Sequence, residues 1–128
     1  MTEGQRPTVL IVEDNYDNLS IYTTILEHYG YVVLSAEDGI TGVDMAKRHR
    51  PDLILMDVSM PGISGWDATR TLKNLSETAS IPILVLTAHA LSGDRERAFD
   101  EGADGYIAKP AEPMRVVQEV RRLLTMRT

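Results

Sequence analysis

Five side chains suited to metal or phosphate chemistry stand directly after apolar segments of the sequence. They are Glu13 and Asp14 after 9–12, Asp57 after 53–56, Thr87 after 83–86 and Lys109 after 105–108. Carboxylates held together repel each other, and a hard divalent cation such as Mg²⁺, which prefers oxygen ligands, offsets their charge. The backbone carbonyl of Ser59 would complete the ligand set. An ammonium and a hydroxyl are the donors that hold phosphoryl oxygens during transfer, so we predict phosphoryl chemistry at Asp57.

Each of these residues, taken alone, has a simpler interpretation. An acidic pair after a strand is often a helix cap, a strand-end Asp is often a turn former, and a Lys before Pro is usually on the surface. The combination favours a site, because chance seldom places an acid pair, an acid, a hydroxyl and a lysine at four strand ends of one sheet.

These side chains can meet only if the apolar segments are neighbouring strands of one sheet. The segments alternate five times with helical patterns, without a linker or a repeat, which is typical of an α/β fold with a parallel sheet. The apolar runs 9–12, 53–56 and 83–86 are the most continuous, while 32–34 and 105–107 are the weakest. Strands buried on both faces are central, so we predict a doubly wound, flavodoxin-like (βα)5 fold of order 2-1-3-4-5. In that order the three carboxylates share one crevice.

The helices are predicted from apolar residues three and four apart. Four have a clear stripe: 19–29 ended by Gly30, 40–46 ended before Pro51, 68–75 capped by Ser64, and 114–124. The segment 90–101 is helical by propensity but weakly patterned, so we expect it to pack lightly. The predicted core stripe of the last helix includes Met114 and omits Val116 and Leu123, which become candidate partner contacts.

Composition limits the classes of protein and partner. A chain of 128 residues fits one domain, predicted over 1–128 with an ordered core of about 8–124 and a flexible N-terminus at 1–6. The absence of cysteine excludes disulfides and thiolate catalysis. A net charge of -6 and a pI near 5.0 disfavour nonspecific nucleic-acid or membrane binding. No apolar run approaches the roughly 20 residues of a membrane span, so we expect a cytoplasmic protein without membrane insertion.

The motifs at the strand ends together resemble those of the receiver domain of two-component response regulators. They are Glu13-Asp14, Asp57 followed by Met60-Pro61-Gly62 and Gly65, Thr87-Ala88, and Gly102-Ala103-Asp104-Gly105-Tyr106-Ile107-Ala108-Lys109-Pro110. The match runs from about Thr8 to Leu124, nearly the whole chain, and the combination is specific although no single motif is. The sequence is similar to stand-alone single-domain response regulators, including those that serve in phosphorelays and cell-cycle control.

The resemblance implies a phosphoacceptor signalling protein. Asp57 would take a phosphoryl group from a phosphohistidine on a histidine kinase or a histidine phosphotransfer protein. Asp14 and Asp57 would bind Mg²⁺ directly, with Glu13 acting through water. Lys109 would bind the phosphoryl oxygens, placed by a cis bond to Pro110. The protein would catalyse only its own phosphorylation and dephosphorylation.

The resemblance also implies a switch and an output surface. Thr87 and Tyr106 would be the switch pair, with the hydroxyl moving toward the phosphoryl group while the ring turns inward. The surface around 88–124, and its 90–124 face in particular, would then contact a downstream protein rather than nucleic acid. Ser59 and His89 occupy positions where the family tunes phosphoryl lifetime, although a lone loop histidine is more often plain surface. A monomer and a phosphorylation-dependent dimer both remain open.

Other classes account for the sequence less well. A phosphatase of the haloacid dehalogenase type would use an aspartyl phosphate, but it needs Asp-x-Asp after the first strand, which 13–16 lacks. A flavodoxin-like cofactor carrier needs a hydroxyl- and glycine-rich phosphate loop there. A binding module without phosphorylation would be expected to have lost one site residue. A Mg²⁺-dependent aspartyl-phosphate hydrolase and a receiver cut from a hybrid histidine kinase remain alternatives, and the start at Met1 favours the stand-alone case.

Overall fold

In the part of the chain that the structure describes, five parallel strands alternate with five helices. The computed structural model describes residues 6–58, 65–87 and 93–126. The strands are β1 (Thr8–Val12), β2 (Val32–Ala36), β3 (Leu53–Asp57), β4 (Ile83–Thr87) and β5 (Gly105–Ala108). The helices are α1 (Tyr16–His28), α2 (Gly39–His49), α3 (Gly65–Asn74), α4 (Asp94–Asp100) and α5 (Pro113–Met126). The sheet order is β2-β1-β3-β4-β5, which confirms the predicted doubly wound topology.

Strand register brings the carboxyl ends of the inner strands to one edge of the sheet. Val12 of β1 pairs with Met56 of β3, and Asp57 of β3 pairs with Leu86 of β4. At the outer side, Thr87 of β4 pairs with Ala108 of β5. The residues that follow these pairs therefore emerge side by side, as the sequence predicted.

Two apolar layers lie on opposite faces of the sheet. One layer contains buried residues of α1 and α5, and the other contains buried residues of α2, α3 and α4. Successive residues of β3 alternate between the two layers, because side chains of a strand point to opposite faces in turn. All five residues of β3 and of β4 are buried, whereas most of β2 is only half-buried. Apolar continuity in the sequence thus identified the central strands correctly.

The predicted core stripe of α5 was wrong at its edges. Val116 is fully buried and Leu123 is 5% exposed, so neither is available as a partner contact, whereas Met114 is 38% exposed. The buried stripe of α5 follows Val116, Val117, Val120 and Leu123. A narrow apolar stripe in the sequence specifies the rotation of a helix about its axis only to within about one residue. One residue corresponds to about 100° of rotation, which is enough to exchange a core position for a surface one.

Ile40, at the start of the predicted stripe 40–46, does not pack on the sheet, and the buried positions of α2 are small residues. Ile40 is 69% exposed, while Gly39, Gly42 and Ala46 are buried. A Cβ added at Gly42 would lie 2.8 Å from a methyl group of Val12, so glycine allows this close approach of helix and strand.

The described part of α4 packs lightly, as expected. Of its described side chains only Ala98 is buried, and Phe99 is 46% exposed. The structure begins α4 at Asp94, and the earlier part of the predicted helix 90–101 lies outside the described residues. Across the described ranges, no helix is both long and apolar enough to cross a membrane.

Candidate functional site

Three carboxylates meet where β1 and β3 end. Oxygen atoms of Glu13, Asp14 and Asp57 all lie within 4.8 Å of one another. Glu13 is 1% exposed and Asp57 is 2% exposed, whereas Asp14 faces solvent. Two buried acids and one exposed acid suit Mg²⁺, which takes oxygen ligands and keeps several of its waters. The three carboxylates predicted to hold the metal therefore converge, and their chemistry fits that ion.

Lys109 reaches this cluster from the end of β5. Its Nζ donates a hydrogen bond to Asp57 Oδ2 at 2.9 Å and lies 3.4 Å from Glu13 Oε1. The backbone N–H of Lys109 donates to the carbonyl of Thr87 at 2.7 Å, and the bond to Pro110 is cis, as the resemblance implied. One ammonium thus stands between two buried acids, with positive charge where phosphoryl oxygens would gather.

The start of α1 supports Glu13 from the other side. The backbone N–H of Asn15 donates to Glu13 Oε2 at 3.2 Å, and the Asn15 side chain accepts from the N–H of Asn18 at 2.9 Å. Asn15 is the N-cap of α1. The N-cap residue Asn15 therefore also positions a site carboxylate through its backbone N–H, a role that the sequence pattern did not indicate.

Burial and neighbouring charge shift the ionisation of this cluster. Burial raises the pKa of Glu13 to about 7, and the hydrogen bond and negative charge of Asp57 act in the same direction, against Lys109 and the Asn15 N–H. Burial alone would lower the pKa of Lys109, but the hydrogen bond to Asp57 and the charges of Asp57 and Glu13 raise it overall. Two carboxylates thus compete for one ammonium, so a proton or a metal ion is favoured near Glu13.

Tyr22 belongs to the site's surroundings, although its sequence position indicated only a helix stripe. It is 5% exposed and lies in the apolar layer between α1, α5 and the sheet. Burial raises the pKa of Tyr22, and the charges of Lys109, Glu13 and Asp57 also act on it. Its ring therefore forms part of the low-dielectric wall behind the carboxylates.

Thr87 and Tyr106 lie on neighbouring strands and on one face of the sheet. Tyr106 pairs with Val85, two residues before Thr87, and side chains two apart in a strand share a face. Thr87 is 1% exposed, and Tyr106 is half-buried against the layer of α2, α3 and α4. The predicted switch pair is thus adjacent in the sheet.

Gly65 presses the start of α3 against the backbone of the predicted acceptor. A Cβ added there would collide with the carbonyl oxygen of Asp57 and lie 2.5 Å from Val58 Cα. The motif glycine is therefore required by contact with the end of β3. The predictions for Ser59 and His89 concern positions outside the described residues.

Comparisons with known proteins agree on one family. The family model of the response regulator receiver domain matches residues 9–121. The polar-differentiation response regulator DivK of Brucella anthropi is 38% identical over 117 residues, which cover 91% of this chain and 95% of that protein.

Solved structures give the same result. The receiver domain of the sensor histidine kinase PA1611 from Pseudomonas aeruginosa, with a magnesium ion coordinated in its active-site cleft, is 36% identical with a TM-score of 0.86. The match covers 94% of this chain and 99% of that one. The chemotaxis protein CheY4 of Vibrio cholerae is 28% identical with a TM-score of 0.87, covering 92% of this chain and 98% of that one.

Proposed function

Because this chain belongs to the response regulator receiver domain family of two-component signalling, we propose that Asp57 accepts a phosphoryl group from a phosphohistidine. The observation that carries this proposal is the 2.9 Å contact between Lys109 Nζ and Asp57 Oδ2 inside a cluster of three carboxylates. The donor would be a histidine kinase or a histidine phosphotransfer protein. Its phosphohistidine must enter from the solvent side, where Asp14 is exposed.

The transfer exchanges one bond to phosphorus for another. A carboxylate oxygen of Asp57 forms a bond to phosphorus while the bond between phosphorus and the histidine nitrogen breaks. The electron pair stays on that nitrogen, and the imidazole leaves neutral because its other ring nitrogen carries a proton. In hydrolysis a water oxygen attacks phosphorus, which releases inorganic phosphate and restores the Asp57 carboxylate. These two reactions of its own acceptor would be the protein's only catalysis.

The residues around Asp57 divide the work of charge stabilisation. Mg²⁺ held by Asp14 and Asp57, by Glu13 through water and by the Ser59 carbonyl would offset the negative charge on the phosphoryl oxygens. The Lys109 ammonium adds a fixed positive charge 2.9 Å from Asp57 Oδ2. Tyr22, buried in the adjoining apolar layer, lowers the local dielectric, which strengthens each of these interactions.

The output would pass through Thr87 and Tyr106 to the 90–124 face. A phosphoryl group adds about -1.5 to -2 charge and three strong acceptors, so it attracts a neighbouring hydroxyl. The half-buried Tyr106 ring lines a groove of about 590 Å³ beside β5 and α5, with Met114 and Arg115 opposite. We assign the contacts with a downstream protein to Tyr106, Met114 and Phe99, in place of Val116 and Leu123.

Two settings of the receiver are compatible with its relatives. The likeness to DivK supports a single-domain regulator as one candidate, and the likeness to the PA1611 receiver supports a hybrid kinase as the other. The alternative function, a Mg²⁺-dependent aspartyl-phosphate hydrolase, would differ from the proposed one in that the protein would hydrolyse a phosphate ester substrate over repeated turnovers. Several expectations from the sequence stay predictions. They are the single domain over 1–128, the cytoplasmic location, the absence of a nucleic-acid partner, the oligomeric state, and the tuning role of Ser59 and His89.

Intact mass after incubation with acetyl phosphate tests the proposal directly. Wild type should gain one phosphoryl group only when Mg²⁺ is present, and Asp57→Asn should gain none. Asp44→Asn, which alters an exposed acid paired with Arg48 on α2, is the matched control and should behave like wild type. An adduct on Asp57→Asn at wild-type stoichiometry would show that the acceptor is another residue. If wild type shows no adduct, a stable Mg²⁺-dependent beryllofluoride complex would distinguish rapid hydrolysis from an inactive site.

A further inference from the structure

Helix α4 is attached to the domain mainly through polar side chains. Ala98 is its buried residue among the described side chains, whereas α5 buries four valine and leucine residues. With so little apolar area buried, contacts that would be minor elsewhere contribute a large share of what holds α4 in position.

Those contacts run to one face of α3. The guanidinium of Arg97 lies 4.7 Å from the ring centroid of Trp66. Arg70 forms a two-pronged ion pair with Glu101, with N–O distances of 2.6 and 2.9 Å. Cation–π and bidentate guanidinium–carboxylate contacts both fix orientation as well as distance. Because 66 and 70 are four apart, like 97 and 101, the two contacts form successive rungs between α3 and α4.

A third contact fixes the far end of this ladder. Lys73 Nζ lies 2.8 Å from Asp104 Oδ2, and Asp104 also accepts from the N–H of Ile83 at 2.9 Å. Gly102, with φ of 100°, lets the turn approach Lys73 so closely that a Cβ would lie 2.8 Å from Lys73 Cγ. The turn after α4 is therefore tied to both α3 and β4, while the Trp66–Arg97 and Arg70–Glu101 contacts join α4 itself to α3.

The near end of α3 touches the predicted acceptor. Gly65 packs directly on the backbone of Asp57 and Val58, and Trp66, the next residue, carries the first rung to α4. A chain of contacts thus runs from Asp57 through the start of α3 to α4 without passing through Thr87 or Tyr106.

We propose that this chain is a second coupling path, in which the Trp66–Arg97 and Arg70–Glu101 contacts transmit a displacement of the Asp57–Val58 backbone to α4. The proposal rests on the proposed function for its trigger, because phosphorylation of Asp57 would cause that displacement. The two rungs, by contrast, act in the unmodified protein as well, where they hold α4 against α3. Coupling requires a structural element that can adopt two arrangements and whose preference is influenced by both coupled sites. In this proposal the lightly packed α4 is that element.

The rungs are tested first without phosphate, by hydrogen exchange of the amides of Arg97, Glu101 and Ala103, which are hydrogen-bonded within or just after α4. Arg70→Gln and Glu101→Gln should each speed exchange of these amides about two- to five-fold, as expected for loss of a partly exposed ion pair. The double variant should be no faster than either single one. The charge exchange Arg70→Glu with Glu101→Arg should restore protection, which a merely structural loss at either site would not do.

A matched control separates the rung from general surface charge. Arg48→Gln removes an exposed arginine whose ion pair, among the residues that the structure describes, is with Asp44 of the same helix. It should leave exchange in α4 unchanged. If Arg70→Gln and Glu101→Gln also leave it unchanged, the rungs do not hold α4 and the proposal is overturned, whatever happens at Asp57.

The path itself is tested after treatment with acetyl phosphate and Mg²⁺, with the adduct measured by mass in the same samples. Thr87→Ala should keep part of the change in α4 exchange, Arg70→Gln should reduce it, and the double variant should abolish it. Emission of Trp66, the one tryptophan of the chain, should shift on phosphorylation in wild type and not in Arg97→Gln. Full loss of the α4 response in Thr87→Ala, with a normal adduct, would refute the second path. Absence of an adduct on wild type, together with failure to form a Mg²⁺-dependent beryllofluoride complex, would instead count against the proposed function.

Discussion

Raising the pH of the metal-free protein should lower its free energy of unfolding, with Glu13 as the cause. Burial, reinforced by the hydrogen bond and charge of Asp57, raises the pKa of Glu13 from 4.5 to about 7. Between those values the folded protein keeps a proton that the unfolded chain has released. The stabilisation is therefore complete below pH 4.5 and is lost as the pH rises through about 7. At about 1.4 kcal/mol per pH unit, the full loss is about 3 kcal/mol.

Urea unfolding at a series of pH values with a chelator present measures this loss. Glu13→Gln has no titrating group at this position, so the difference between wild type and variant isolates the contribution of Glu13 from that of other groups. This difference should change by about 3 kcal/mol between pH 4.5 and 8, with wild type losing stability. Glu37→Gln, a change at an exposed glutamate, should keep the wild-type slope.

Mg²⁺ should cancel the slope, because a bound cation replaces the proton in offsetting the charge of Glu13 and Asp57. Added Mg²⁺ should stabilise wild type strongly at pH 8 and little at pH 5. A constant difference between wild type and Glu13→Gln from pH 4.5 to 8, without metal, would refute the reasoning. It would mean that the buried site does not retain a proton.

Three further predictions concern contacts that the fold determines. Gly65→Ala should destabilise the protein by about 1–3 kcal/mol or more in urea unfolding, since the added methyl collides with backbone at Asp57; a neutral effect would contradict that packing. Leu123→Ala should lower the free energy of unfolding by about 2–5 kcal/mol and Met114→Ala by under about 0.5 kcal/mol. Equal losses would indicate that Leu123 is a surface residue. In Asp57→Asn, loss of the neighbouring charge should lower the pKa of Glu13 in a carboxyl NMR titration; an unchanged pKa would exclude that coupling.

Much of this protein could be inferred from local patterns of residues. The strand order followed from the apolar continuity of the segments. A central strand such as β3 is covered on both faces, so its residues are apolar without interruption, whereas an edge strand is partly exposed. The meeting of Glu13, Asp14 and Asp57 followed from the rule that parallel strands end at one edge of the sheet. Both inferences need only the sequence period and the topology, and neither depends on side-chain detail.

Tertiary structure alone decided the rotation of α2 and α5 and which distant side chains meet. Burial of Val116 and Leu123 and exposure of Ile40 depend on helix rotation, which an apolar stripe specifies only to within about one residue. The Arg70–Glu101 pair joins residues 31 apart. The raised pKa of Glu13 reflects its burial and the carboxylate of Asp57, and the ammonium of Lys109 opposes that rise. Local sequence specifies which residue types occur and with what period. Distances between remote charges, and the dielectric around them, exist only once the chain has packed.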